Sequence, residues 1–143
     1  MTLRIAALGP VAAALWLTAA VPLNATVIHF SAPLKGAEEV PPTDSKGTGN
    51  VEADFDTATN QFSYQVSYAG LTGPAVAAHF HGPAAAGANG PPIITIKALA
   101  SPIKGSDKLT AAQAKELRAG KWYFNIHTAA HGPGEIRGQL VAP

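Results

Sequence analysis

The sequence predicts an all-β protein, an antiparallel β-sandwich or Greek-key barrel with one short helix. Three observations predict it. Short segments of alternating apolar and polar residues recur along the chain, Gly/Pro-rich turns separate them, and a single late stretch carries helix-capping chemistry. A length of 143 residues suits one domain.

The first 25 or so residues read as a leader rather than as part of that domain. Arg4 supplies a short positive start, and Ile5 to Val21 is almost unbroken apolar sequence, interrupted by Gly9-Pro10 and Thr18. Small residues permit cleavage after Ala20 or after Ala25, and Ala25 is preferred. The expected organisation is therefore a signal peptide over 1–25 and a β-domain over 26–143, in a secreted or periplasmic protein. A retained membrane anchor is the alternative, but the run is short and broken for a spanning helix. After cleavage no membrane contact is expected.

Within the domain, Thr26 to Leu34 reads as a first strand, ended by the prolines of Val40-Pro41-Pro42. Gly47 to Phe55 and Gln61 to Tyr68 read as a hairpin across the turn residues Asp56 to Asn60, with Phe62, Tyr64, Val66 and Tyr68 on one face. A strand through His79 follows. Gly82 to Pro92 is a loop of small residues suited to lie over a surface, and Ile93 to Leu99 is a strand. Ser101 to Lys108 reads as a polar connector. Thr110-Ala111-Ala112-Gln113 has the form of a capping box, Ala111 to Ala119 is rich in helix formers, and Gly120 fits the stop. A strand through His127, a tight loop and a last strand over Glu135 to Val141 complete the chain.

Charge and composition narrow the functions. Without Arg4 the ten basic residues become nine, equal to the nine acids, so no basic field suggests nucleic acid or anionic lipid. There is no cysteine, which excludes thiolate ligands, cysteine nucleophiles and redox disulfides. Any metal chemistry must use nitrogen and oxygen. No Gly-x-Ser-x-Gly elbow, phosphate loop or close carboxylate pair points to another reaction.

Histidines carry the chemistry that remains. In Ala77-Ala78-His79-Phe80-His81, strand alternation sets Val76, Ala78 and Phe80 toward the core and Ala77, His79 and His81 on the reverse. The two imidazoles are then roughly 6.5 to 7 Å apart along the strand, close enough to converge on one ion. In Trp122 to Thr128 the same logic sets Trp122, Phe124 and Ile126 inward and Tyr123, Asn125 and His127 outward. If the two strands meet, three neutral imidazoles share one surface, a ligand set that suits copper, with zinc also acceptable. Tyr123 and Asn125 are placed to hydrogen-bond the rings or simply to cover the sheet. His29, beside Phe30 in the first strand, is assigned a structural role. Glu135 and Arg137, two apart on one strand face, are expected to form a surface or cross-strand ion pair.

Four blocks in order carry a family resemblance: Leu34 to Pro42, Ala78 to Ala84, Leu109-Thr110, and Tyr123 to Thr128 with Gly134 to Leu140. Together they resemble the CHRD domain, named after chordin, over roughly Phe30 to Val141. A weaker similarity to copper-zinc superoxide dismutase rests on His79-x-His81, on the strand ending in His127, and on the Gly-rich turn leading to Arg137. These resemblances imply a Greek-key β-sandwich, superoxide dismutase-like or immunoglobulin-like, with His79, His81 and His127 as copper-type ligands. His131 is a candidate fourth, and Arg137 a candidate guide for a small anion. No histidine lies between His81 and His127, and the acids there are Asp107 and Glu116, so the dismutase's bridging imidazole and zinc cluster have no counterpart. The expected site is mononuclear. Three functions follow: an exported copper-binding protein, a dismutase-like copper enzyme, or an extracellular interaction or adhesion module without metal.

Overall fold

The computed structural model describes residues 26–143; the expected signal peptide and its cleavage sites lie outside the described residues. Eight antiparallel strands form one sheet in the order β5-β4-β7-β8-β1-β2-β3-β6. They are β1 (Val27–Lys35), β2 (Thr48–Asp56), β3 (Gln61–Ala69), β4 (Ala75–His81), β5 (Pro92–Thr95), β6 (Ile103–Lys108), β7 (Tyr123–Thr128) and β8 (Ile136–Gln139). Between β6 and β7 runs helix α1 (Ala111–Arg118), and a 3-10 turn spans Gly36–Glu38.

The sheet folds over at its narrowest seam. Strand β8 meets β1 at Lys35 and Arg137, with a separate bridge between Ser31 and Val141. The halves β1-β2-β3-β6 and β5-β4-β7-β8 thereby face each other as a nearly closed sandwich. Phe62 of β3 packs edge-on against Phe80 of β4 and Trp122, with ring centroids 5.2 and 5.7 Å away. Phe30, Leu34, Val51, Phe55, Phe124 and Ile126 fill the same fully buried core. These side chains recur at every second residue of their strands, so the inward rows come directly from strand periodicity.

Local chemistry explains the ends of the elements. Asp56 Oδ1 accepts from the backbone N–H groups of Ala58 (2.8 Å) and Thr59 (3.1 Å), and Asn60 adopts φ 58°, closing the β2–β3 hairpin. Thr110 Oγ1 accepts from Gln113 N, while Gln113 Oε1 accepts from Thr110 N, the reciprocal cap that starts α1. Gly120 stops the helix at φ +68°. Ala114 and Leu117 bury the helix against the core.

Three expectations are corrected. The stretch Ile103–Lys108 is strand β6 rather than a connector. It pairs on one side alone, with β3, so its lysines face water as befits an edge, and Gly105 leaves room for the Tyr64 ring. Strand β5 is shorter than expected, ending at Thr95, although Ile96 N still donates to Ala78 O at 3.0 Å. Val76 is exposed, because the β4–β7 register shifts between Ala75 and Ala77 and turns it out of the core row.

Candidate metal centre

Strands β4 and β7 are hydrogen-bonded neighbours, with His79 opposite Asn125, Ala77 opposite His127 and His81 opposite Tyr123. Ala78, Phe80, Trp122, Phe124 and Ile126 all turn inward, which leaves the three histidines on the outer face. Ligand nitrogens of His79, His81 and His127 lie within 4.8 Å of one another. The spatial convergence expected from alternation is present.

The pair His79 and His127 is the tightest part. His79 Nδ1 lies 3.1 Å from His127 Nε2. Metal–imidazole bonds of about 2 Å place adjacent ligand nitrogens roughly 3 Å apart, so this spacing is already that of two ligands on one ion. His127 Nδ1 donates to the Gly132 carbonyl at 2.8 Å, which leaves Nε2 as the ring's acceptor. His79 Nδ1–H donates to that acceptor. A cation entering here would replace the shared hydrogen.

His81 is more enclosed, at 8% exposure. Its Nδ1 is 2.9 Å from Gly90 O and its Nε2 is 3.0 Å from Asn125 Oδ1. The ring lies flat on Tyr123, with centroids 4.6 Å and planes 6° apart. Burial lowers the pKa of His81 below the ordinary imidazole value, against the opposing hydrogen bonds to Gly90 and Asn125. Burial also lowers that of His79, helped by the neighbouring His127 and His81. Both rings are therefore held in the neutral form that binds metal. Three imidazoles with no thiolate match the donor preferences of copper and zinc, so the residues fit such an ion.

The loop 82–91 covers one end of this face, as its composition predicted. Gly90 N and O both lie 3.3 Å from the Tyr123 hydroxyl, and Gln139 Nε2 donates to Ala84 O at 2.9 Å. Arg137 is the main fastener. It is 2% exposed, donates from one guanidinium nitrogen to Ala88 O (2.7 Å) and from another to Asn89 Oδ1 (3.0 Å), and places its Cζ 3.5 Å above the Tyr123 ring. These contacts face the loop and Tyr123.

The expected ion pair between Glu135 and Arg137 does not form. Glu135 is fully buried on its own network, accepting from Ser45 Oγ (2.6 Å), Thr72 N (2.8 Å), Thr72 Oγ1 (2.8 Å) and Thr128 Oγ1 (2.5 Å). Burial pushes its pKa up, but the bonds from Ser45, Thr128 and Thr72 prevail and hold it down at about 2. His131 lies outside the trio; its backbone exchanges hydrogen bonds with Thr128 in the turn after β7. His29 is on the solvent face of β1, between Asp54 Oδ1 (2.9 Å) and Glu52 Oε2 (2.7 Å).

One residue escaped sequence reasoning. Glu39 follows the 3-10 turn and is 5% exposed, with its carboxyl against Gly134, where a Cβ would collide with it. Burial raises its pKa to about 7, opposed by the charge of Arg137 and by Asn125 beside it. Its Oε1 has no hydrogen-bond partner. The Glu-Val-Pro-Pro block of the family resemblance was the available signal, but nothing in its spacing said that the side chain turns inward.

The fold and this face together define a class: an antiparallel β-sandwich domain with a three-histidine cluster on the outer surface of two central strands. The family model for the CHRD domain matches residues 30–140, and the chain belongs to that family. No curated protein and no solved structure matches it. Among the described residues no helix is long and apolar enough to cross a membrane.

Proposed function

We propose that this CHRD protein is an exported metal-binding protein that holds one copper ion through His79, His81 and His127. The observation that carries the reading is the meeting of imidazoles from two separate strands, with the His79–His127 nitrogens 3.1 Å apart. Two of the rings are kept neutral by burial. Hydrogen bonds to Gly90 and Gly132 fix the tautomers from behind, the usual support for histidine ligands. Export is supported by the apolar leader-like start and by the extracellular setting in which CHRD domains occur.

Copper titration of the metal-free protein, followed by electron paramagnetic resonance, tests it. A nitrogen-ligated copper signal saturating near one equivalent is expected. Absence of that signal leaves the adhesion-module reading. Superoxide consumption faster than that of free copper at equal concentration would move the assignment to the dismutase-like enzyme.

A further inference from the structure

The loop 82–91 has little apolar surface to hold it over the histidine face. Ala84 is buried, but residues 85–89 are exposed, so the loop's polar fastenings decide whether it stays down. Arg137 supplies the charged ones. Its guanidinium spends one nitrogen on Ala88 O (2.7 Å) and another on Asn89 Oδ1 (3.0 Å), with Cζ 3.5 Å from the Tyr123 ring centroid. Asn89 passes the tie on, because its Nδ2 donates to Val40 O at 3.0 Å. Val40 is a firm anchor. Thr43 N donates to Gly36 O (2.9 Å) and Thr43 Oγ1 donates to Glu135 O (2.8 Å), which closes the segment 36–43 and ties it to the residue before β8. Both ends of the Asn89 amide are therefore engaged, one by a group that can only donate and one by a group that can only accept.

The next residue carries the tie to the histidines. Gly90 O lies 2.9 Å from His81 Nδ1, and Gly90 N and O both lie 3.3 Å from the Tyr123 hydroxyl. Arg137 thus reaches His81 by two routes: through the loop to the edge of the ring, and through Tyr123, which stacks on the ring's face at 4.6 Å.

We propose that Arg137 and Asn89 are positioning residues for the metal centre: the guanidinium fork and the amide clamp the loop so that Gly90 and Tyr123 hold the His81 ring at one angle. The positioning role rests on the metal-binding reading; the clasp itself does not. It gives Arg137 a task other than drawing anions, since a side chain 2% exposed, with two nitrogens committed and one face on Tyr123, leaves almost no surface for a passing ion. Such a clasp needs shape and not charge, so lysine cannot stand in for arginine.

Two variants of the full-length chain test this: Asn89→Ala, at an exposed position, and Arg137→Lys, which keeps the charge and loses the fork. In the metal-free state, hydrogen exchange reads the Gly90 amide, and proton NMR reads the His81 ring protons, which the underlying Tyr123 ring shifts upfield. Both variants are expected to speed Gly90 exchange by about 10-fold, roughly what one hydrogen bond is worth, and to move the His81 signals downfield while the amides of β1 and β2 are unchanged. Copper affinity is expected to fall by about 10-fold, with an altered electron paramagnetic resonance spectrum. Arg137→Lys matching the wild type would make charge the operative property and overturn the proposal. So would unchanged Gly90 exchange in Asn89→Ala, or a freed loop with wild-type copper affinity. If Arg137→Lys fails to fold, Asn89→Ala decides alone. A wild-type chain that takes up no copper sinks the metal-binding reading and the positioning role with it, while the exchange data still establish or refute the clasp.

Discussion

The imidazole of His81 and the phenol ring of Tyr123 are parallel to within 6°, with 4.6 Å between their centroids. Strand β7 lies between β4 and β8, so Arg137 takes the other side of Tyr123, 3.5 Å from its centroid. Stacking fixes the plane of the imidazole, and hydrogen bonds to its nitrogen edge fix its rotation about that plane. A ring held both ways presents a ligand atom at one place, which is the preorganisation a tight metal site needs.

Copper binding should divide the histidines. His79→Ala, His81→Ala and His127→Ala are each expected to weaken it by more than the roughly 10- to 100-fold that loss of an outer hydrogen-bond partner costs. His29→Ala should leave it unchanged, because that ring is engaged by Asp54 and Glu52 on β2. Calorimetric titration of the four variants checks this; equal losses would end the assignment.

Affinity for copper should also respond to acid. Burial lowers the pKa values of His79 and His81 below the ordinary 6.5, so the neutral, metal-binding form of these two rings prevails above that value. Below it protons compete and affinity falls. A competition assay with a chelator across pH 5 to 8 reads this, and an affinity independent of pH would point to ligands other than imidazole.

Glu135 should govern acid stability. Its folded pKa of about 2 is below the unfolded carboxyl value, so its contribution is complete above the unfolded value and is lost as pH falls toward 2. The lowering corresponds to about 3 kcal/mol. Urea unfolding between pH 7 and 2 should therefore show a steep loss in the wild type. In Glu135→Gln that slope should shrink, from a lower starting stability at pH 7.

His29 should act in the opposite sense. Hydrogen bonds to Asp54 and then Glu52 raise its pKa, so its stabilising contribution is present below the unfolded value and fades as pH rises through the folded one. Proton NMR of the ring should show a midpoint above 6.5 that drops in Asp54→Asn. The net effect on stability will be small, since the cluster faces solvent.

Gly134→Ala should be costly well beyond the usual helix or strand penalty. The residue has φ +144°, and a Cβ there would run into the Glu39 carboxyl. A loss of about 1 to 3 kcal/mol in unfolding free energy is expected from the backbone alone. Thermal unfolding gives the total: a loss above that range reports the collision with Glu39, and a loss below it overturns the prediction.

Much of this was legible in the chain because alternation is local. His79, His81 and His127 each sit opposite an apolar row, and that pattern set each on the outer face of its own strand; their meeting depends on the β4–β7 pairing. The capping box at Thr110 and the turn at Asp56 to Asn60 were equally local. What was hidden depended on distant partners. Glu39 reads as one more acid in a charged stretch until Gly134 packs on it from the far end of the chain. Glu135 and Arg137 look like a pair in sequence, but Ser45 and Thr72 claim one and the loop 82–91 claims the other. Strand β6 was missed because an edge strand can be polar, and Val76 because a register shift leaves no mark on composition.

Strand β7 is flanked on both sides, and its two faces have different tasks: Trp122, Phe124 and Ile126 fill the interior while Tyr123, Asn125 and His127 build the outer face. Insertions cannot enter such a strand without shearing the sheet. Single side-chain exchanges can therefore redecorate the outer face without disturbing the sheet, whereas longer connecting segments would alter only how that face is reached.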